Sequence, residues 1–119
     1  MTLTEAACIF ADTSYYVALF NEADASHARA VQFSREFRGT TLTTEYVIVE
    51  LGNWLRKSVN RRIFHDFVQR LYRNPRVTII DAERALLQAG IERYASRQDK
   101  DWSLTDCISF VVMERNGLT

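Results

Sequence analysis

Cys8-Ile-Phe-Ala11 is an uninterrupted apolar run that stops on an acid, Asp12, followed by Thr13, Ser14 and the mostly apolar Tyr15-Tyr-Val-Ala-Leu-Phe20. A short, fully apolar run bounded by polar residues reads as a buried strand of a parallel sheet. Asp12 then falls at the strand's C-terminal end, where a helix begins. In open α/β sheets that edge is the crevice in which ligands bind. An Asp at this place also serves as a helix N-cap, because its carboxylate accepts a bond from a first-turn N–H. On local grounds both roles stay open.

The remaining chain continues the alternation. A short helix is expected from Tyr15 to about Asn21, a break at Ala23–Ser26, and a second helix from about His27 to Phe37 with Ala30, Val31, Phe33, Ser34 and Phe37 as its stripe. Gly39 is a stop signal, and Thr40–Thr44 is β-branched enough for a second strand. The spacing predicts a third helix over about Glu45–Lys57, with Val47, Leu51, Trp54, Leu55 and Ser58 on one face and Glu50 at that face's edge. A carboxylate there is partly desolvated and calls for a cation, a metal or a route to water.

A fourth helix is expected over about Arg61–Tyr72, with Ile63, Phe64, Phe67, Val68 and Leu71 inward. Asn74-Pro75 is a turn and Arg76–Ile80 a third strand. Asp81 should cap a fifth helix, Ala82 to about Arg97, in which Leu86, Leu87, Gly90, Ile91 and Tyr94 keep helical spacing. Ser103 and Asp106 have capping-box spacing at the start of a sixth helix that is apolar almost all round, and Asn116-Gly117 ends it. Leu118-Thr119 then reads as the start of another strand, and the sequence stops there, so a C-terminally truncated domain is the expectation.

A chain of 119 residues with 47% apolar and 25% charged residues suits one globular domain, 1–119. No window approaches the roughly 20 apolar residues of a membrane span. Met1–Glu5 lacks the basic start of a signal peptide, so the cytoplasm is the expected compartment. Cys8 and Cys107 sit in apolar surroundings, as small core residues do; a disulfide between them stays open, though nothing suggests an oxidising environment. The net charge of zero argues against a protein that coats nucleic acid, yet it hides segregation. Between Arg56 and Arg76 stand seven cations and one acid, Asp66, and thirteen of the fifteen basic residues are Arg. Arg grips phosphate bidentately, whereas a solvated helix face explains a basic run equally well.

Three acids therefore occupy special places: Asp12 at a strand end, Glu50 on a helix's inner edge, Asp106 in the first turn of a buried helix. Carboxylates supplied by different elements of an α/β fold can converge at the sheet's C-terminal edge, and Mg²⁺ or Mn²⁺ takes such oxygen ligands. His27 and His65 have no partner spacing, and no zinc, phosphate-loop or nucleophile-elbow motif is present.

Over essentially its whole length the sequence resembles the PIN domains, in particular the small VapC-like toxin ribonucleases. The resemblance rests on Phe10-Ala-Asp12-Thr-Ser14, on Thr43-Thr-Glu-Tyr-Val-Ile-Val-Glu50-Leu-Gly-Asn53 and on Ser103-Leu-Thr-Asp106-Cys-Ile-Ser-Phe110. It implies a three-layer α/β/α sandwich around a parallel sheet, here without its C-terminal strand, and Mg²⁺- or Mn²⁺-dependent cleavage of RNA. Asp12, Glu50 and Asp106 would be the acidic catalytic residues and metal ligands, with Thr13, Ser14, Ser103 and Thr105 as polar support. Arg56, Lys57, Arg61 and Arg62 would follow the RNA backbone. An antitoxin that covers the site and a homodimer are further implications. The family adds a fourth acid in a Thr-x-Asp-like segment beyond the last helix, and this sequence ends at Thr119, before that place.

Two rival readings remain. A catalytically inert PIN-like module would keep the fold and bind a protein partner. A receiver-type phosphoacceptor domain would use Asp81 at a strand end, but Asp12 lacks the neighbouring acid such a site needs, and Lys100 precedes a helix instead of ending a strand.

Overall fold

The structure is a computed structural model that describes residues 7–118. The readings made on Met1–Glu5 and on Thr119 lie outside the described residues. Within them run β1 (Cys8–Phe10), α1 (Thr13–Phe20), α2 (His27–Glu36), β2 (Thr40–Thr44), α3 (Glu45–Trp54), α4 (Ser58–Arg73), β3 (Val77–Ile80), α5 (Arg84–Ser96) and α6 (Leu104–Arg115). The strands form one parallel sheet in the order β1-β2-β3, with Phe10 opposite Leu42 and Leu42 opposite Thr78. Each parallel step needs a crossover, and two helices supply each one.

Alternation along the strands sends successive side chains to opposite faces, and each face has its own core. On one face Val47 and Leu51 of α3 pack with Tyr16 of α1, Leu71 of α4 and Ile79 of β3. On the other, Leu42 and Ile80 meet Leu86 of α5 and Ile108, Val111 and Val112 of α6. The sheet is thus covered on both sides, as the α/β/α expectation requires. Helix α6 buries Cys107, Ile108, Ser109, Val111 and Val112, which span most of its circumference.

Several local expectations need correction. β1 is not fully buried: it lies at one side of the sheet, where Cys8 is exposed and Ile9 and Phe10 are half-covered. Cys8 is therefore no core residue, and both cysteines are free thiols. Helix α3 ends at Trp54, three residues early, and Ser58 belongs to the next helix. Trp54 and Ile63 are 61% and 50% exposed instead of inward. Phe33 of α2 and Ile91 and Tyr94 of α5 are likewise exposed. Asp81 caps nothing: α5 starts at Arg84 behind Glu83. The backbone N–H of Ala82 donates instead to Glu45 Oε1 at 2.7 Å, while Tyr72 donates to Glu45 Oε2 at 3.1 Å, so one carboxylate ties the end of β3 to the start of α3. Leu118 is not in a strand. No helix among the described residues is long and apolar enough to cross a membrane.

Candidate active site

The C-terminal ends of β1 and β2 each run straight into a helix, and the same device starts both helices. Asp12 is the N-cap of α1: its Oδ1 accepts from the Tyr15 N–H at 3.0 Å and from the Ser14 hydroxyl at 2.9 Å. Thr44 is the N-cap of α3, accepting from the Val47 N–H at 3.1 Å. The Thr43 hydroxyl donates to the Ala11 carbonyl at 2.8 Å and locks the two strand ends side by side. Glu50 follows in the second turn of α3, half-exposed. On the other side Ser103 and Asp106 make the expected capping box at the start of α6, each accepting the other's N–H at 3.0 Å.

Asp12, Glu50 and Asp106, which come from three separate parts of the sequence, line one cavity of about 250 Å³. Thr13 and Ser14 belong to the same wall, and Val17 and Trp54 form its apolar side. A fourth acid lines it as well: Asp24, from the turn between α1 and α2. No sequence signal marked Asp24, since an acid in a break of cap-type residues looks like ordinary turn chemistry. Its Oδ1 does accept the Ser26 N–H at 2.8 Å, as such a turn predicts. A wider depression of about 620 Å³ between α1 and α2 shares Ser14 and Asp24 with the acidic cavity.

Of the supporting residues, Ser103 acts through Asp106, and Thr105 does not line the cavity. Arg56, Lys57, Arg61 and Arg62 are exposed and also lie outside its lining. The Arg56 and Arg61 guanidinium groups donate to the carbonyls of Asn53 and Arg56, and Arg62 pairs with Asp66 at 3.5 Å. Neither histidine lines the cavity: His27 Nδ1 is 2.7 Å from the Ala18 carbonyl and His65 Nδ1 is 3.2 Å from Asp66.

In kind, this donor set suits a hard divalent cation: four carboxylates and two hydroxyls with no basic side chain among the lining residues. Uncompensated carboxylates that share a cavity repel one another unless a cation joins them. The Thr13 hydroxyl oxygen on the same wall is buried and has no hydrogen-bond partner. In position, the acids share the cavity without closing into a coordination shell. Among the described residues no group of three or more His, Cys, Asp or Glu side chains is placed to hold a metal ion. The capping geometry accounts for part of this, because Asp12 and Asp106 each turn one carboxylate oxygen back onto their own helix.

The chain is thus an α/β protein with a PIN-like fold, its acids gathered at the C-terminal edge of a parallel sheet. Its fold is that of VapC20 from Mycobacterium tuberculosis, a sarcin–ricin loop cleaving toxin, with a TM-score of 0.81. The two share 24% sequence identity, and the likeness covers 92% of this chain and 84% of that one. No family model and no curated protein matches the sequence.

Proposed function

We propose that this chain is a divalent-metal-dependent endoribonuclease of the VapC type, the toxin of a toxin–antitoxin pair. The observation that carries this reading is the convergence of Asp12, Glu50 and Asp106 on one cavity that has no basic lining residue, in a fold shared with a toxin that cleaves an RNA loop. Asp12, Glu50 and Asp106 would supply oxygen ligands to Mg²⁺ or Mn²⁺, using the carboxylate oxygens that their capping bonds leave over. When bound there, the ion would activate a water and offset the charge that builds on the phosphate during hydrolysis. The protein's own part is positional. The Ser14 hydroxyl and the Tyr15 N–H hold the Asp12 carboxylate, the capping box holds Asp106, and helix α3 carries Glu50 at a fixed height above the Thr43–Ala11 clasp.

RNA is the proposed substrate, and an antitoxin segment and a second copy of the chain are the proposed protein partners. The reading as an inert binding module draws on one observation, the failure of the acids to close into a coordination shell. Cleavage of a labelled RNA with added Mn²⁺ or Mg²⁺ separates the two. Asp12→Asn, Glu50→Gln and Asp106→Asn should each lower the cleavage rate at least a hundredfold. At position 12 Asn caps a helix about as well as Asp, and at position 106, inside the first turn of α6, an Asn amide oxygen can still accept the Ser103 N–H, so both Asn variants should fold as the wild type does. Wild-type rates in these variants would defeat the assignment.

A further inference from the structure

Trp54 is open to water over 61% of its surface, at the end of a helix that buries Val47 and Leu51. It lines two cavities at once. One is the acidic cavity of Asp12, Glu50 and Asp106. The other is a groove of about 290 Å³ between α1 and the start of α4, where Phe20, Leu55 and Ile63 meet Lys57 and Asn60. The two spaces adjoin at Trp54 and Val17 and differ in charge. The acidic cavity has no cation in its lining, whereas the groove has no acid in its lining and sets Lys57 and the amides of Asn21 and Asn60 beside its apolar side chains.

Beyond the groove the charge is one-sided. Of Arg56, Lys57, Arg61, Arg62, Arg70 and Arg73, only Arg62 has an acidic partner among the described residues. A ligand that runs from the acid cavity into this groove must present flat apolar faces to Trp54 and negative charge to Lys57 and α4. An unpaired nucleotide does both, since every base has a face that stacks on an aromatic ring while its phosphate meets a cation.

We propose that the Trp54 groove is the subsite for an unpaired nucleotide next to the scissile phosphate. The base stacks on the Trp54 ring, Lys57 pairs with its phosphate, and the Asn21 and Asn60 amides are the uncharged polar groups of the groove lining that can read its edge. The subsite rests on the ribonuclease reading and adds to it a requirement for one unstacked base beside the cleaved bond.

The sequence has only two tryptophans, so the Trp102→Phe variant reports on Trp54 alone. Binding is measured with an oligoribonucleotide in EDTA, which withholds the metal ion that the proposed chemistry needs, and with the same strand made abasic at one position after another. The expected results are quenching of Trp54 emission by the intact strand and about tenfold weaker binding when one particular base is missing. Trp54→Ala should lose the same factor and no longer distinguish the two strands, and Trp54→Phe should recover part of it. Lys57→Ala should reduce the salt dependence of binding by about 0.7 in the log–log slope.

Equal affinity of wild type and Trp54→Ala, or of intact and abasic strands, would overturn the proposal. So would Trp54 emission that ignores the oligonucleotide and follows protein concentration, because the groove would then be covered by a second copy. Cleavage is scored separately with Mn²⁺. A chain that binds in this base-dependent way and never cleaves overturns the ribonuclease reading, whereas a chain that cleaves with unchanged Trp54→Ala affinity overturns the subsite alone.

Discussion

The Thr43 side chain donates its hydroxyl hydrogen to the carbonyl of Ala11 at 2.8 Å, across 32 positions of sequence and with no part of Thr43 exposed. Parallel strands are held by slanted backbone bonds that run out at their ends, and here a side chain takes over where the backbone ladder stops. The bond falls one residue before Asp12 on one strand and one before the Thr44 cap on the other. It therefore fixes the relative position of helices α1 and α3, and through them the spacing between Asp12 and Glu50.

Replacing Thr43 by Val keeps the shape and removes the donor. A buried carbonyl then loses that partner, which costs about 1–3 kcal/mol. Urea unfolding should show a lower midpoint with an unchanged slope, since the surface exposed on unfolding is the same. Thr43→Ser, which keeps the hydroxyl, should restore most of the loss. An unchanged midpoint in Thr43→Val would mean that the clasp contributes nothing to the fold.

Tyr16 gives the fold a sensitivity to alkali. The residue is 3% exposed and its ring packs edge-on against Phe67, with centroids 5.4 Å apart. Burial holds the phenol protonated well above its ordinary value near 10, and the neighbouring Tyr15 adds to the shift. Tyr15, half-buried, is raised in the same direction by desolvation. A raised folded-state value means that the native state binds the proton more tightly than the unfolded chain does. This contribution to stability is complete below pH 10 and is lost as the pH climbs past the unfolded-state value. Denaturation titrated from pH 8 to pH 12 should show stability falling above pH 10, and Tyr16→Phe should flatten that fall. An equally steep fall in Tyr16→Phe would place the sensitivity elsewhere.

Helices α5 and α6 meet at Gly90, where a side chain has no room. A methyl group there would run into Ile108 Cγ1 and sit 3.2 Å from the Ile108 Cα. Ala is the better helix former by about 1 kcal/mol, so helix propensity alone predicts that Gly90→Ala stabilises. Overpacking costs about 1–3 kcal/mol and should win, because the obstruction includes backbone and not only a flexible tip. Thermal melting of Gly90→Ala should show a lower Tm than the wild type, and a higher one would show that α5 can slide on α6.

Local chemistry explains which parts of this architecture can be read from residues alone. Thr40–Thr44 matches its observed strand end for end, because a β-branched run between Gly39 and a capped helix leaves few alternatives. The Ser103–Asp106 capping box is a four-residue pattern and survives intact. Helical spacing, in contrast, says which residues share a face and nothing about how far the neighbouring layer extends over it. Ile63, Ile91 and Tyr94 keep the period and still lie beyond the edge of what covers them. Asp24 is illegible for a related reason: its place beside Asp12 depends on how the turn after α1 folds back, which is a tertiary fact with no local signature. The shared cavity of Asp12, Glu50 and Asp106 could be anticipated only because each acid sits at an element boundary that parallel topology brings to one edge of the sheet.

Metal binding should be visible without any substrate. A ligand that binds only the native state stabilises it by about 2.7 kcal/mol at a hundredfold excess over its Kd. For a domain of this size that corresponds to a rise in Tm on the order of 10 °C. Millimolar Mn²⁺ should therefore raise the melting temperature of the wild type, and chelation should reverse the effect. In Asp12→Asn and Asp106→Asn the starting Tm should barely move, because Asn keeps the α1 cap in the first and an acceptor for the Ser103 N–H in the second, while the Mn²⁺-induced rise should shrink severalfold. Asp24→Asn tests the acid that the turn brings in: as a contributor of charge to the cavity it should also shrink the rise, whereas an Asp24 that only stabilises its turn would leave it unchanged. Identical Mn²⁺ responses in the wild type and in Asp12→Asn and Asp106→Asn would mean that these two carboxylates are helix caps and nothing more, since the same oxygens cannot be spare for a cation and irrelevant to its binding.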